Sequence, residues 1–392
     1  IGASDIHIEP DETVLRIRQR VDGVLQEHVM NERRIATAVV SRLKLMAGLN
    51  ISERRIPQDG RFNIRVRDHS IDVRLSTMPI QDGESVVMRL LDQSGNRLDL
   101  EQLGMEGSLL ENFRNQVRRP YGMVLVTGPT GSGKTTTLYA ALSEINKSSK
   151  KIITVEDPVE YRLPRINQVQ VNAQIDLTFA RVLRTALRQD PDIVLVGEMR
   201  DQETAQIGLR AAITGHMVLS TLHTNNAIAS VNRLLDMGAE GYMVASALRA
   251  VLAQRLIRKL CDSCKASYSP VAAEQTLIRN LIGQDMKGVP FYQARGCPHC
   301  NNTGYRGRVG VFEFLEMDEE LADSLMRNDG IDFAKKARAS KNFRPFALHA
   351  IDHAWQGITS LEEVLRVTGA AEEHEAPAQM ASPVASQNSS HG

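Results

Sequence analysis

Residues 122–135 read Gly122-Met-Val-Leu-Val-Thr127-Gly128-Pro-Thr-Gly-Ser-Gly133-Lys134-Thr135, an apolar run followed by a glycine-rich loop. The loop matches the pattern G-x-x-x-x-G-K-[ST], and a helical pattern begins at Lys134. Glycines let the backbone curl so that successive N–H groups point at phosphate oxygens, and a helix N-terminus adds its positive end. The sequence therefore predicts a strand, a phosphate-binding loop and a helix in succession.

This loop predicts a nucleotide site with a defined set of residues. Lys134 would reach the β- and γ-phosphates of a nucleoside triphosphate, and the Thr135 hydroxyl would be a ligand of Mg²⁺. A glycine-rich turn that matches by chance is the alternative, which the strand–loop–helix context disfavours. The residues predicted to bind nucleotide are Gly128, Pro129, Thr130, Gly131, Ser132, Gly133, Lys134, Thr135 and Thr136.

Strands and helices alternate after the loop, which is typical of a mostly parallel sheet covered on both faces. Further strands are predicted at 152–155, 193–196 and 217–221. Ligands of such sheets bind at the carboxyl ends of the strands. Glu198 follows the strand at 193–196, and it could hold a Mg²⁺-bound water.

Other polar side chains follow the neighbouring strands. Glu156, Asp157 and Glu160 come after 152–155, and one of them could orient or deprotonate an attacking water. A solvated acidic turn is the alternative for these three. His223 follows 217–221, where a neutral imidazole could sense a γ-phosphate; a structural role for this histidine is equally open.

The composition sets the size and class of the protein. The 392 residues (43.5 kDa) exceed one ordinary core, so two or three domains are expected. Hydrophobic residues are 42% and charged residues 24%, as in globular chains, and the net charge is zero. Zero net charge argues against a protein that coats nucleic acid. The apolar runs are too short to span a membrane, so any membrane role is expected to come through a partner.

The ends and the cysteines carry further information. No signal peptide is visible, and the chain opens at Ile1 within a strand-like segment, so we expect a fragment of a longer protein. Because all four cysteines lie in Cys-x-x-Cys pairs, a metal site in the cytoplasm is expected rather than a secreted disulfide framework.

The two cysteine pairs are separated by 32 residues (297 − 264 − 1) and predict a structural zinc site. Four thiolates complete a tetrahedral shell with no open position. A redox pair or a vestigial site is the alternative. The predicted ligands are Cys261, Cys264, Cys297 and Cys300, and the basic turn at 301–308 that follows them is expected to contact a neighbour.

These features closely resemble the secretion and pilus-assembly ATPases of the type II secretion / type IV pilus superfamily. The resemblance covers about residues 1–368, and the MSHA-pilus branch is one candidate within it. Besides the loop, the similar stretches are Ala3-Ser-Asp-Ile-His7, Ile51-Ser-Glu-Arg-Arg-Ile-Pro-Gln-Asp-Gly-Arg61, the acidic box at 156–160, Val196-Gly-Glu-Met-Arg-Asp201, and 214–224.

The resemblance implies an α/β fold: a RecA-like P-loop ATPase core, an N-terminal PAS-like α+β domain and a small tetracysteine zinc element. The expected divisions are an α+β domain at 1–96, a linker at 97–120, the ATPase core at 121–257, the zinc element at 258–312, a helical subdomain at 313–369 and a disordered tail at 370–392.

Roles for individual residues follow from the same resemblance. Glu160 would be the catalytic carboxylate, with Glu198 the second acidic residue near the metal. His216 and His223 lie in what this family calls its histidine box. Arg61 and Arg74 resemble the arginines that the first domain brings to the triphosphate; Arg89 is a third candidate. Ordinary arginines on a strand face are the alternative.

The implied function is a hexameric motor that hydrolyses Mg-ATP and powers assembly of a type IV pilus or type II secretion pseudopilus. It would be cytoplasmic and peripheral at the inner membrane. Its partners would be the platform protein and a cytoplasmic adaptor, with no direct nucleic acid. A retraction motor is opposed by the tetracysteine element, which the retraction class lacks. A DNA-uptake ATPase is disfavoured by zero net charge and 4% aromatic residues. An inactive scaffold is the third alternative.

Overall fold

The computed structural model describes residues 1–67, 69–92, 99–283, 288–341 and 343–372. Its first part is an antiparallel sheet with strand order β3-β2-β1-β6-β5-β4 and one helix packed on one face. The elements are β1 (Ala3–Pro10), β2 (Leu15–Val21), β3 (Val24–Met30), α1 (Ala36–Met46), β4 (Gln58–Val66), β5 (His69–Ile80) and β6 (Gly83–Asp92).

The two faces of this sheet differ in chemistry because side chains alternate along each strand. One face carries Ile8, Leu75 and Val86, which pack against Val40 of α1 as a small core. The opposite face carries charged side chains. The predicted α+β domain is thus a sheet with an apolar and a charged side.

The second part is a mixed α/β domain with a seven-stranded sheet. Its strands are β7 (Gly122–Thr127), β8 (Ile152–Glu156), β9 (Asn167–Gln170), β10 (Ile193–Val196), β11 (Met217–Leu222), β12 (Leu248–Leu260) and β15 (Tyr305–Glu316). Two further strands, β13 (Ala266–Tyr268) and β14 (Phe291–Gln293), form a separate two-stranded ribbon. The helices are α2 (Gly107–Val117), α3 (Lys134–Ile145), α4 (Phe179–Ala186), α5 (Gln202–Ile213), α6 (Ala227–Asp236), α7 (Gly241–Ala247), α8 (Ala272–Ile282), α9 (Glu319–Met326), α10 (Gly330–Ala339), α11 (Phe346–Trp355) and α12 (Leu361–Glu372).

The strand order of the large sheet is β15-β12-β7-β11-β10-β8-β9. Neighbours from β9 to β12 run parallel, and β15 pairs antiparallel with β12 at one edge. The strands β7, β8, β10 and β11 are buried throughout because helices cover both faces and form two separate apolar cores. The predicted mostly parallel α/β sheet is confirmed.

The segment predicted to be a linker, 97–120, is different in the structure. From Leu100 onward it packs into the core of the large sheet, and α2 contributes Phe113, which is fully buried in the same apolar core as Leu138 and Phe312. The apolar residues Leu109, Leu110, Phe113 and Val117 recur at helical spacing, which indicates a core helix rather than a connection. The segment is helical as expected, but it is part of the core of the large sheet rather than a linker between domains.

Of the other expected divisions, three fall within a strand or a helix and one lies outside the described residues. β12 runs past 257, and β15 crosses the expected limit at 312 to join the large sheet, so the sheet is not confined to 121–257. The helix α12 continues to Glu372; the tail from 373 on and the first division at 96 lie outside the described residues. Among the described residues, no helix combines the length and apolar character that crossing a bilayer would require.

Two histidines of α11 are buried against β15. His349 Nδ1 accepts a hydrogen bond from the Phe312 N–H at 3.0 Å, and the ring centroids of His349 and His353 are 4.7 Å apart. Burial lowers the pKa of His349 to about 3, and it also lowers the pKa of His353. Both rings are therefore held neutral in the folded state.

We expect the free energy of unfolding to fall as the pH falls below about 6.5, the ordinary pKa of the unfolded histidine. In that range the unfolded chain binds a proton at His349 that the folded chain does not bind. This histidine should therefore lower the free energy of unfolding by about 2 kcal/mol between pH 7.5 and 5. In urea unfolding at both pH values, His349→Gln should remove this part of the pH dependence, because glutamine does not titrate. Its amide oxygen can still accept the hydrogen bond from the Phe312 N–H, so the fold should be kept. The exposed His28 supplies the control His28→Gln; equal pH dependence in all three proteins would contradict the assignment.

Candidate active site

The phosphate loop lies between β7 and α3, at the carboxyl edge of the large sheet. Gly128 and Gly133 have φ of +147° and +88°, a region that side chains rarely adopt. Position 128 also requires glycine for steric reasons, because a Cβ there would lie 2.3 Å from the Gln254 carbonyl oxygen. The loop is therefore fixed from beneath by β12.

Lys134 folds back over this loop. Its Nζ donates to the Gly128 carbonyl at 2.8 Å and to the Pro129 carbonyl at 3.1 Å, and burial lowers its pKa to about 8. The Ser132 hydroxyl is buried and has no hydrogen-bond partner among the described residues. A concave loop with a lysine and an unpaired hydroxyl fits a bound phosphate chain, which would supply the missing acceptors.

Parallel strands bring two further predicted residues to the same edge. Glu198 follows β10 and His223 follows β11; His223 Nε2 lies 3.4 Å from Glu198 Oε2. Glu198 also pairs with Arg200, whose other nitrogen is 3.8 Å from Asp157. Burial and the charge of Lys134 hold the pKa of His223 below its usual value although Glu198 opposes them, which favours a neutral imidazole.

The three carboxylates of the acidic box have different surroundings. Glu156 is buried and accepts hydrogen bonds from the Tyr139 and Thr154 hydroxyls, so its oxygens are already used within the core. Asp157 is exposed. Glu160 is only partly exposed, and its Oε2 lies 2.8 Å from Arg74 Nη2 of the first domain. Glu160 is thus the carboxylate of this group that meets the first domain.

The arginines predicted to approach the triphosphate form one row. Arg61, Arg74 and Arg89 lie directly opposite one another on β4, β5 and β6, and Asp5 of β1 continues the row. Asp5 accepts a hydrogen bond from Arg89 Nε at 3.0 Å. The row lies on the face away from α1 and meets the carboxyl edge of the large sheet through Arg74.

His216 does not join this group. It precedes β11, where its Nδ1 lies 3.1 Å from the Ala211 carbonyl oxygen, and its own carbonyl accepts from the Gly122 N–H. The six residues of β11 separate it from the phosphate-loop edge by about 20 Å. Of the two predicted histidines, only His223 lies at the edge with the loop.

Gln254 of β12 is a buried side chain that the sequence analysis missed. Its Oε1 accepts from the Thr137 hydroxyl of α3 at 2.7 Å, and its Nε2 is 2.9 Å from where a Cβ on Gly133 would be. A polar residue inside the apolar run Val251-Leu-Ala-Gln254 was the available signal. The amide joins β12 to the first turn of the helix that carries Lys134.

The four cysteines form a cluster whose Sγ atoms all lie within 4.8 Å of one another. The Sγ distances are 3.9 Å for Cys261 to Cys297, 3.9 Å for Cys264 to Cys300 and 3.7 Å for Cys297 to Cys300. Four sulfurs at the Zn–S bond length of about 2.3 Å would be about 3.8 Å apart in a tetrahedron. The cluster is therefore compatible with zinc.

A parallel α/β sheet, a phosphate loop at its carboxyl edge, and carboxylates on the neighbouring strand ends together define a P-loop nucleoside triphosphatase. Comparisons with known proteins narrow this class. The family described as "Type II/IV secretion system protein" matches residues 1–366. The chain belongs to this family, and it is an ATPase of the type II secretion class, as its resemblance predicted.

Individual relatives support this family assignment. The type II secretion system ATPase E of Vibrio cholerae is 51% identical over 367 residues, covering 94% of this chain and 72% of the relative. The type II secretion system protein E of Pseudomonas aeruginosa is 49% identical over 368 residues, with the same coverage. Among solved structures, the Legionella pneumophila ATPase DotB matches with a TM-score of 0.69 and 22% identity, covering 94% of this chain and 92% of that one. The pilus retraction motor PilT with bound ADP matches with a TM-score of 0.61 and 26% identity, covering 93% of this chain and 93% of that one.

We expect Gln254→Leu to weaken nucleotide binding about tenfold, because it leaves the buried Thr137 hydroxyl unpaired and frees the first turn of α3. A fluorescent ATP analogue titrated against the purified chain would measure the dissociation constant. Gln116 of α2 is an equally buried glutamine remote from the loop. Gln116→Leu should leave the dissociation constant unchanged; equal effects of the two substitutions would contradict a specific role for Gln254.

Proposed function

We propose that this chain is a subunit of a six-membered ring that hydrolyses Mg-ATP and uses closure of its first domain to drive assembly of a type II secretion pseudopilus or type IV pilus. The observation that carries the proposal is the 2.8 Å contact between Arg74 and Glu160, which brings the first domain to the edge that holds the phosphate loop. The 49–51% identity to type II secretion ATPases supports the secretion role.

The residues of the site divide the chemistry among them. Lys134 and the loop N–H groups would bind the phosphates, and Thr135 and Glu198 would hold Mg²⁺, which would neutralise phosphate charge. Glu160 orients the attacking water and takes its proton.

Charge that develops on the γ-phosphoryl oxygens is met by Arg74 and Arg61, while neutral His223 beside Glu198 senses the phosphate. His216 has no part in these steps because of its distance from the loop.

The proposed setting is the cytoplasmic face of the inner membrane. There the ring acts on the platform protein and its cytoplasmic adaptor, without direct binding of nucleic acid. The cysteine cluster favours the assembly class over retraction, although PilT shares the fold. Retraction or DNA uptake would become the better reading if hydrolysis were stimulated by a retraction substrate or by nucleic acid.

The test is phosphate release per chain measured against protein concentration. Specific activity should rise and level off as the ring assembles. Lys134→Ala should lower the plateau by about 10²- to 10³-fold, because it removes a preorganised positive donor. Arg74→Ala or Arg61→Ala should lower it by about 10³-fold.

Arg65 supplies the control for the arginines. It lies on the same strand and face as Arg61, about 13 Å along β4, so Arg65→Ala should keep the wild-type plateau. Turnover indifferent to Lys134 would overturn the phosphate-loop assignment, and turnover indifferent to both Arg61 and Arg74 would overturn the role of the first domain.

The cysteine cluster is proposed to hold one structural zinc, and the expected result of metal analysis is one zinc per chain. The chain has only four cysteines, so a thiol reagent reads this site alone. We expect the thiols to be protected until a chelator removes the metal, with the segment from Cys261 to Cys300 then losing its structure. Cys300→Ser should lower zinc content; four reactive thiols in untreated protein with intact structure would contradict the site.

A further inference from the structure

At the start of β15, directly after the second cysteine pair, the register with β12 shifts and the chain makes a tight irregular turn. This turn carries two arginines around a glycine, Arg306-Gly307-Arg308, and metal binding gives these residues no role. The base of the turn is fixed to both cysteine pairs. The Gly304 N–H lies 3.2 Å from Cys300 Sγ, and the Gly304 carbonyl accepts from the Cys261 N–H at 2.9 Å. The position of the turn is therefore set by the cysteine cluster.

The next residue, Tyr305, holds the same end of the turn. Tyr305 is buried, and its hydroxyl lies 2.7 Å from Ser360 Oγ at the start of α12. The guanidinium of Arg258 lies over the Tyr305 ring at 4.0 Å. Arg308, at the other end of the turn, pairs with Arg258 of β12. With both ends held, the turn presents the Gly307 N–H and the Arg308 side chain at a fixed place.

A carboxylate of the first domain meets this turn. Asp22, at the tip of the hairpin between β2 and β3, accepts a hydrogen bond from the Gly307 N–H at 2.7 Å through Oδ2. Its Oδ1 lies 3.7 Å from Arg308 Nε. A carboxylate that accepts a backbone N–H and faces a guanidinium is a charge-assisted contact, stronger than a neutral hydrogen bond.

This contact and the pair between Arg74 and Glu160 attach the same sheet at two separate places. Asp22 is at the end of β2 and Arg74 is on β5, with β1 and β6 between them. Three strand spacings make about 14 Å. A sheet attached at one place can pivot, whereas attachment at two places this far apart also limits its rotation.

We propose that the turn Arg306–Arg308 is the docking surface for Asp22, and that this contact holds the first domain where Arg74 reaches Glu160. The proposal deepens the proposed function, since it rests on the first domain acting at the nucleotide. On this proposal, the cysteine element supports the closed position of the first domain. Gly304 links the turn to the cysteines, and Gly307 donates the hydrogen bond to Asp22.

The decisive variant is Asp22→Gly, because glycine keeps the left-handed backbone at this position (φ +49°) while removing the carboxylate. Amide hydrogen exchange at Gly307 in the full chain should become about tenfold faster than in wild type, since a charged hydrogen bond is lost. Modification of Arg74 by phenylglyoxal, quantified by mass spectrometry, should become several-fold faster because Arg74 leaves Glu160.

Two matched variants separate this contact from general effects. Asp22→Asn keeps an acceptor oxygen and tolerates the same backbone but loses the charge, so Gly307 exchange should fall between the wild-type rate and that of Asp22→Gly. Arg306→Ala removes an exposed charge from the same turn without touching the contact, and both measurements should be unchanged. Unaltered Gly307 exchange in Asp22→Gly would overturn the docking contact. Faster exchange with unaltered Arg74 modification would overturn its link to the site.

Neither measurement needs ATP turnover, so the docking proposal and the proposed function can fail separately. Wild-type protein that hydrolyses no ATP would refute the proposed function, while Gly307 exchange and Arg74 modification would still decide the docking.

Discussion

Parallel strands end at one edge of their sheet, and the placement of the site depends on this constraint. β7, β8, β10 and β11 are each buried throughout, so none can slide along its neighbour without moving apolar side chains out of the core. Their register carries the loop, the acidic box, Glu198 and His223 to the same edge. The site is therefore positioned by the register of the sheet that ends there.

At that edge, the two carboxylates to which we assign a role in hydrolysis each face a cation. Glu198 faces Arg200, Glu160 faces Arg74, and Lys134 rests on backbone carbonyls. An isolated charge would be costly in such a partly dry site. Because a guanidinium has five N–H donors, Arg74 can keep Glu160 while also turning N–H groups toward a phosphate. Nucleotide can thus bind while Glu160 keeps its ion pair with Arg74.

The sequence predicted what depends on local pattern and missed what depends on distant contacts. The loop, α3 and the strand ends were found because their residues are contiguous. For Gln254 and α2 the local pattern signals a buried residue and a core helix, but which surfaces they pack against depends on partners far away in the chain. His216 and His223 are seven residues apart, yet a strand separates them, so closeness in sequence became distance in space. The row Arg61–Arg74–Arg89 needed the register of three strands, which composition alone does not provide.

The row of arginines on β4, β5 and β6 would favour the closure of the first domain that we propose. Arginines directly opposite on neighbouring strands repel one another. Asp5 compensates Arg89 and Glu160 compensates Arg74, whereas Arg61 is exposed and has no ion-pair partner among the residues that the structure describes. A triphosphate at the loop would place several negative charges before this uncompensated cation. Binding energy from the phosphates would then be available to bring the sheet onto the site, and the contact at Asp22 would restrict the direction of that movement.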